Sequence, residues 1–133
     1  MKYLLDTQTL IWLIETPSKL TKEVSTIMDQ STAIYVSIES LREIAIKHKQ
    51  GDIKLKKTFS TFCKELQQLF AIKIVNTDLN HVLEFYSLIE LPGHKDPFDH
   101  LIISTAIKSK FILISSDHNF PFYEKQGLQL IKN

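Results

Sequence analysis

Met1-Lys2-Tyr3-Leu4-Leu5-Asp6-Thr7-Gln8-Thr9-Leu10-Ile11-Trp12-Leu13 opens the chain, and its reading decides how the rest is read. Residues 2–5 have the apolar character of a short buried strand. Leu10, Ile11, Leu13 and Ile14 then fall at helical spacing until Pro17 ends the helix. Strand, acid and helix in that order begin an α/β unit, and in open α/β sheets ligands bind beyond the carboxyl ends of the strands. Asp6 stands at that address. It is equally placed to cap a helix beginning near Gln8, and the sequence alone leaves both roles open.

The same alternation continues outward. Lys19 to Asp29 carries Leu20, Val24, Ile27 and Met28 at helical spacing, and residues 33–37 predict a second strand. A helix follows to about Gln50, with Gly51 suited to the position just past its end. Phe59, Phe62, Cys63, Leu66, Leu69 and Phe70 mark another apolar helical stripe. Ile72 to Val75 reads as a third strand, and Asn76 to Leu88 as a helix with Leu79, Val82, Leu83 and Tyr86 inward. After the loop Leu91-Pro92-Gly93-His94, a helix presents Phe98, Leu101, Ile102, Thr105 and Ala106 to the core. Strands are expected at 111–114 and 128–131. This pattern predicts one α/β domain over residues 1–133, a parallel sheet with helices on both faces.

With 133 residues the chain is long enough for a single core. No apolar run approaches the roughly 20 residues of a membrane span. The acids Asp6 and Glu15 are wrong for a secretory signal, which points to the cytoplasm. A net charge of +1 excludes nucleic-acid binding by a global positive field, so any such site must be a local patch. The run 47–57 supplies one, with Lys47, Lys49, Lys54, Lys56 and Lys57 against the single acid Asp52, and Arg42 nearby. A solvated helix end would look the same. The sole cysteine, Cys63, precludes an internal disulfide, and its helical setting predicts a buried, unreactive thiol.

Four acids carry the chemistry. Asp6 and Asp117 each follow a predicted strand. Asp99 sits near the start of a helix, where Asp96 fits the N-cap, Pro97 the first helical position and Asp99 the third. Asp117 also suits a turn. Glu43 lies off the apolar face set by Leu41, Ile44, Ala45 and His48, and by periodicity reads as a solvated partner of Lys47. His94 and His100 flank the Asp96–Asp99 pair, and no His-x-x-x-His spacing suggests zinc. Carboxylates brought together at one sheet edge would repel, raise at least one pKa and favour divalent cations. The absence of a Ser/His/Asp or Cys/His arrangement fits hydrolysis by a metal-activated water.

Taken in order, Met1 to Leu13, Val36 to Lys47, His94 to Ile103 and Leu113 to Asp117 resemble a PIN domain over essentially the whole chain, and within that family the VapC-type toxins of toxin–antitoxin pairs. The resemblance implies a PIN-like three-layer sandwich with a five-stranded parallel sheet in the order 3-2-1-4-5. It implies that Asp6, Glu43, Asp99 and Asp117 are the catalytic, metal-binding acids, which overrules the periodicity reading of Glu43. Asp96 would support them from behind, and Thr7 and Ser115 would orient a metal-bound water. The implied activity is an endoribonuclease dependent on Mg²⁺, with Mn²⁺ as an alternative. RNA is the implied substrate, gripped by Arg42, Lys47, Lys49, Lys54, Lys56 and Lys57. A small antitoxin and a homodimer are the implied partners, with an antitoxin Arg entering the acidic groove; the helices at 8–30 and 57–70 have enough apolar residues to supply both surfaces, and which face serves which partner is left open.

The sequence departs from this pattern where Gln8 replaces a common His and Arg42 a common aromatic residue, and RNA preference is the property these positions touch. Asp6-Thr7-Gln8-Thr9 also resembles the Asp-x-Asp-x-Thr start of haloacid-dehalogenase-type phosphatases, but Gln8 lacks the required carboxylate. A receiver-type phospho-acceptor domain would need Asp78 and Lys125 in its site. A noncatalytic binding module on the same fold is the remaining alternative.

Overall fold

Strands β1 (Tyr3–Leu5), β2 (Ile34–Ser37), β3 (Lys73–Val75), β4 (Ile112–Ser115) and β5 (Gln129–Lys132) form one parallel sheet in the order β3-β2-β1-β4-β5. Helices α1 (Thr7–Glu15), α2 (Lys22–Gln30), α3 (Ile38–Lys49), α4 (Phe59–Gln68), α5 (Leu79–Ser87) and α6 (Pro97–Ser109) connect the strands, with short 3-10 segments at Pro17–Lys19 and Phe120–Gln126. The computed structural model describes all 133 residues.

Successive strand residues point to opposite faces, and each face carries its own core. Leu5, Val36 and Ile114 pack with Leu10 and Leu13 of α1, Val24 of α2, Leu41 and Ile44 of α3, and Phe62 and Leu66 of α4. Their neighbours Leu4 and Leu113 turn the other way, onto Ile102, Ile103 and Ala106 of α6 and onto Phe120 and Tyr123. The chain runs outward from β1 to β3 and then returns to place β4 on the other side of β1. Leu5 pairs in register with both Val36 and Ile114. Asp6 and Ser115 therefore leave the sheet side by side, and the Asp6 N–H donates to the Ile114 carbonyl at 3.1 Å. This is the strand-order reversal at which open α/β sheets form their crevice.

The expected strands are present, shifted by about a residue; β4 reaches Ser115, which brings that hydroxyl to the sheet edge. Gly51 has φ +83, as a residue just past a helix end requires. The expected helix from Lys19 is instead a 3-10 turn followed by α2, because Thr21 caps the latter through Val24 N–H.

Two helical stripes are corrected. Leu79, Val82, Leu83 and Tyr86 do not face inward; they are 71%, 44%, 55% and 88% exposed. The covered stripe is His81, Glu84, Phe85 and Leu88. Its rotation is set by Asp78 and His81, which form a reciprocal cap at the start of α5, while His81 Nε2 lies 2.7 Å from the Ser109 hydroxyl at the end of α6. That polar anchor outweighs the more apolar stripe of Leu79, Val82, Leu83 and Tyr86. In α4 the buried residues are Phe62 and Leu66, whereas Leu69 and Phe70 lie past the last turn and are exposed. Cys63 is half-buried and free, its thiol pushed up by burial.

Candidate active site

A cavity of about 580 Å³ opens at the carboxyl edge of β1 and β4. Asp6, Glu43, Asp96, Asp99 and Asp117 all line it. The structure thus brings together the four acids singled out from the sequence, and Asp96 with them.

Each acid also serves the local fold. Asp6 caps α1, its Oδ1 accepting from Thr9 N–H at 2.8 Å. Its Oδ2 accepts from the Ser115 hydroxyl at 2.5 Å. Asp96 caps α6 by accepting from the N–H groups of Phe98 and Asp99 at 2.9 and 3.3 Å, with Pro97 at the first helical position. Asp117 Oδ1 accepts from Asn119 N–H at 2.8 Å in a tight turn. Capping and site placement are therefore not alternatives here. The elements that need a carboxylate at their ends deliver those carboxylates to one cavity.

Glu43 does not face solvent as periodicity suggested. Its side chain is 6% exposed, and Lys47 donates to its Oε2 at 2.7 Å. The Thr7 hydroxyl donates to Oε1 at 2.7 Å and lies 3.1 Å from the Ser40 hydroxyl. α3 packs against both α1 and α6, so its polar face is turned into the cavity between them.

Thr7 and Ser115 do not hold a water-orienting hydroxyl free. Each has one O–H proton, and each proton is committed to a carboxylate, Glu43 for Thr7 and Asp6 for Ser115. The Ser115 oxygen also accepts the Asp117 N–H at 3.0 Å. These hydroxyls fix the acids relative to one another.

Burial and like charge act together on the cavity. Asp99 is pushed up to about 8, by burial first and then by Asp96, Asp117, Glu43 and Asp6. Asp6 is also raised, chiefly by burial, with the Ser115 and Thr9 hydrogen bonds opposing. Lys47 is raised, chiefly by its hydrogen bond to Glu43. The donor set is dominated by carboxylate oxygen, which suits Mg²⁺ or Mn²⁺. A divalent cation would offset the like-charge part of the push on Asp99, which comes second to burial. One oxygen or nitrogen each from His94, Asp99 and Asp117 lie within 4.8 Å of one another, a spacing open to a metal ion.

His94 was read from the sequence only as a flanking histidine. It is buried, with Nε2 at 2.9 Å from Asp99 Oδ2 and Nδ1 at 2.8 Å from the Tyr123 hydroxyl. No sequence signal marks it beyond its place five residues before Asp99. His100 is also buried; its Nδ1 lies 3.4 Å from Glu90, and burial pushes its pKa down.

The basic residues divide. Lys47 lines the cavity. Lys56 is tied to Glu15 through its backbone N–H at 2.6 Å and its ammonium at 2.7 Å. Lys57 is paired with Glu65, and both Lys56 and Lys57 are thereby drawn toward structural partners. Lys49 and Lys54 are exposed. Arg42 is 60% exposed and pairs with Glu39 at 3.5 Å, outside the cavity lining, whereas Gln8 is part of it. Asp78 and Lys125, which a receiver domain would require, are absent from the cavity; Asp78 caps α5 and Lys125 lies over the Phe122 ring.

The sequence profile of the family described as PIN domain matches residues 3–126. No curated protein matches the chain. Among solved structures, a chain of VapBC2 from Rickettsia felis, bound to a DNA fragment from its promoter, is 18% identical with a TM-score of 0.69; 99% of this chain and 98% of that one are covered. A chain of DNA-bound VapBC from Salmonella typhimurium is 14% identical over the same shares, also with a TM-score of 0.69. A chain of FitAcB from Neisseria gonorrhoeae is 19% identical with a TM-score of 0.63, covering 97% of this chain and 96% of that one. At such identities the structural likeness establishes the fold, including the five-stranded order.

The raised Asp99 pKa has a stability consequence. Its folded value of about 8 lies above the ordinary 3.8, so ionisation opposes folding. Its contribution is fully present below about pH 4 and is lost as pH rises through about 8. In chelator, the denaturation midpoint of the wild type is expected to fall more steeply from about pH 5 to about pH 9 than that of Asp99→Asn. Parallel profiles for the two proteins would contradict the assignment.

Proposed function

The chain belongs to the PIN-domain family, and from that membership we propose that it is a metal-dependent endoribonuclease acting as the toxin of a toxin–antitoxin pair. The observation that carries this reading is the gathering of buried and half-buried carboxyls at the strand-order reversal, with Asp99 pushed up to about 8 by burial and then by its acidic neighbours.

Asp6, Glu43, Asp99 and Asp117 are assigned as the acids that hold Mg²⁺ or Mn²⁺. A divalent ion bound there supplies Lewis acidity and an activated water for phosphodiester hydrolysis. The protein's own contribution is to hold the acids. Ser115 ties Asp6 to the Asp117 backbone, Thr7 steers Glu43, and Asp96 fixes the first turn of α6 that carries Asp99. Lys47 stands in the cavity wall, paired with Glu43, where its ammonium would lie beside a substrate phosphate. Lys49 and Lys54 extend the basic surface, and RNA is the proposed substrate. No helix is long and apolar enough to cross a membrane. The cytoplasm is the compartment this reading proposes.

A small antitoxin is the proposed partner, since the similar chains come from VapBC and FitAcB structures. An antitoxin Arg entering the acidic cavity would compete with the metal ion. The helices at 8–30 offer little free apolar surface, because Leu10, Leu13 and Val24 are buried. Leu79, Val82, Leu83, Tyr86 and Ile89 form the larger exposed apolar group, and α5 is therefore the surface proposed for a homodimer.

Two outcomes are expected. Purified protein with Mg²⁺ or Mn²⁺ should generate new RNA ends, and Asp6→Asn or chelator should lower the rate by at least about 100-fold, since even the outer partners of metal ligands cost about 10–100-fold. Metal binding without any turnover would instead favour a noncatalytic module. Sedimentation should find a dimer that Leu83→Glu with Tyr86→Glu converts to monomer; unchanged sedimentation would remove α5 from the interface.

A further inference from the structure

Leu91, Tyr123, His94 and Asp99, the middle two of them buried, form a directed chain of hydrogen bonds that ends on the cavity. Tyr123 comes from the 3-10 segment after β4 and is fully buried. Its hydroxyl oxygen accepts from Leu91 N–H at 3.0 Å and lies 2.8 Å from His94 Nδ1. No other side chain or carbonyl accepts the phenolic proton, so the proton goes to Nδ1, and Nδ1 must be the unprotonated nitrogen of a neutral ring. That fixes the tautomer. The ring proton sits on Nε2 and is donated to Asp99 Oδ2 at 2.9 Å. The rings of His100 and Tyr123 close around His94, with centroids at 4.6 and 5.7 Å, and leave it little freedom to turn.

We propose that His94, oriented by Tyr123, is a positioning residue that holds the Asp99 carboxylate by its Nε2–H and presents the other oxygen, Oδ1, for a divalent cation. The role rests on the nuclease reading above. The close spacing of His94, Asp99 and Asp117 also invites a different assignment, with His94 itself as a ligand. The hydrogen-bond directions oppose it. Coordination through Nε2 would move the ring proton to Nδ1, and Nδ1–H would then face the Tyr123 oxygen, leaving the phenolic proton buried without an acceptor. An unpartnered buried donor is costly. His94 therefore acts through Asp99, in the manner of the outer partners that orient metal ligands.

The test uses the full chain. Long-range ¹⁵N–¹H NMR of the metal-free protein reads the ring tautomer, and EPR titration with Mn²⁺ reads affinity without reference to RNA cleavage. The Nε2–H tautomer is expected in the wild type and a mixture in Tyr123→Phe, which keeps the ring and its packing. His94→Ala should weaken Mn²⁺ binding by about 10–100-fold. His94→Gln, whose amide N–H reaches a position similar to that of Nε2–H, should recover most of the loss. If His94→Ala does not fold, the Gln and Phe variants carry the test. The proposal is overturned by an Nδ1–H tautomer in the wild type, by unchanged Mn²⁺ affinity in His94→Ala, or by imidazole-nitrogen coupling to bound Mn²⁺ in pulsed EPR. A wild type with the expected tautomer that binds no Mn²⁺ would overturn the metal-dependent reading itself, and this role with it.

Discussion

Asp6 and Glu43 are buried and Asp99 is half-buried in one cavity, and their withdrawal from water together with their like charge is the constraint around which the carboxyl edge of the sheet is arranged. Asp99 and Asp117 bring oxygens within 4.8 Å of each other. At an effective dielectric of about 20, two unit charges at such a distance repel by roughly 3 kcal/mol. The start of α6 offsets about 0.3–1 kcal/mol of that for a carboxylate in its first turn. Capping is therefore too weak to explain the meeting of Asp6, Glu43, Asp96, Asp99 and Asp117 in one place. The chain instead leaves Asp99 protonated up to about pH 8, and a divalent cation is the group that would let all of the acids ionise together.

The scaffold holds these acids with neutral hydrogens. The hydroxyls of Thr7 and Ser115 and the His94 ring each contact a carboxylate and are buried. The one cation in the cavity wall, Lys47, reaches Glu43 from a half-exposed position. Neutral donors orient a carboxylate without cancelling its charge, so the cavity keeps its attraction for an ion from solution. Each donor sits on or beside a regular element, with Thr7 opening α1, Ser115 ending β4 and His94 in the turn before α6. That arrangement sets the geometry before any ligand arrives.

Much of this was legible in the amino-acid sequence, and the misses have physical reasons. The strand–acid–helix units announced the parallel sheet, and Asp6 and Asp117 were placed by topology. The Asp96-Pro97-Phe98-Asp99 spacing announces the start of α6, but local sequence cannot show that the same side chains both serve the helix end and line the cavity. Glu43 was misread by periodicity because a helix wedged between two others buries a polar face as well as an apolar one. The apolar stripe of α5 faces outward because the rotation of the helix is set by His81 reaching Ser109, a contact 28 residues away in sequence. His94 was invisible as more than a neighbour, since its significance lies in Tyr123, which arrives from beyond β4.

The central claim is that these acids meet in order to hold a divalent ion. A crystal structure of the protein soaked in Mn²⁺, with anomalous scattering collected at the manganese edge, tests it directly. An anomalous peak is expected between Asp6, Asp99 and Asp117, within about 2.0–2.5 Å of carboxylate oxygens. An empty cavity at saturating Mn²⁺, or manganese bound only at other carboxylates, would contradict it.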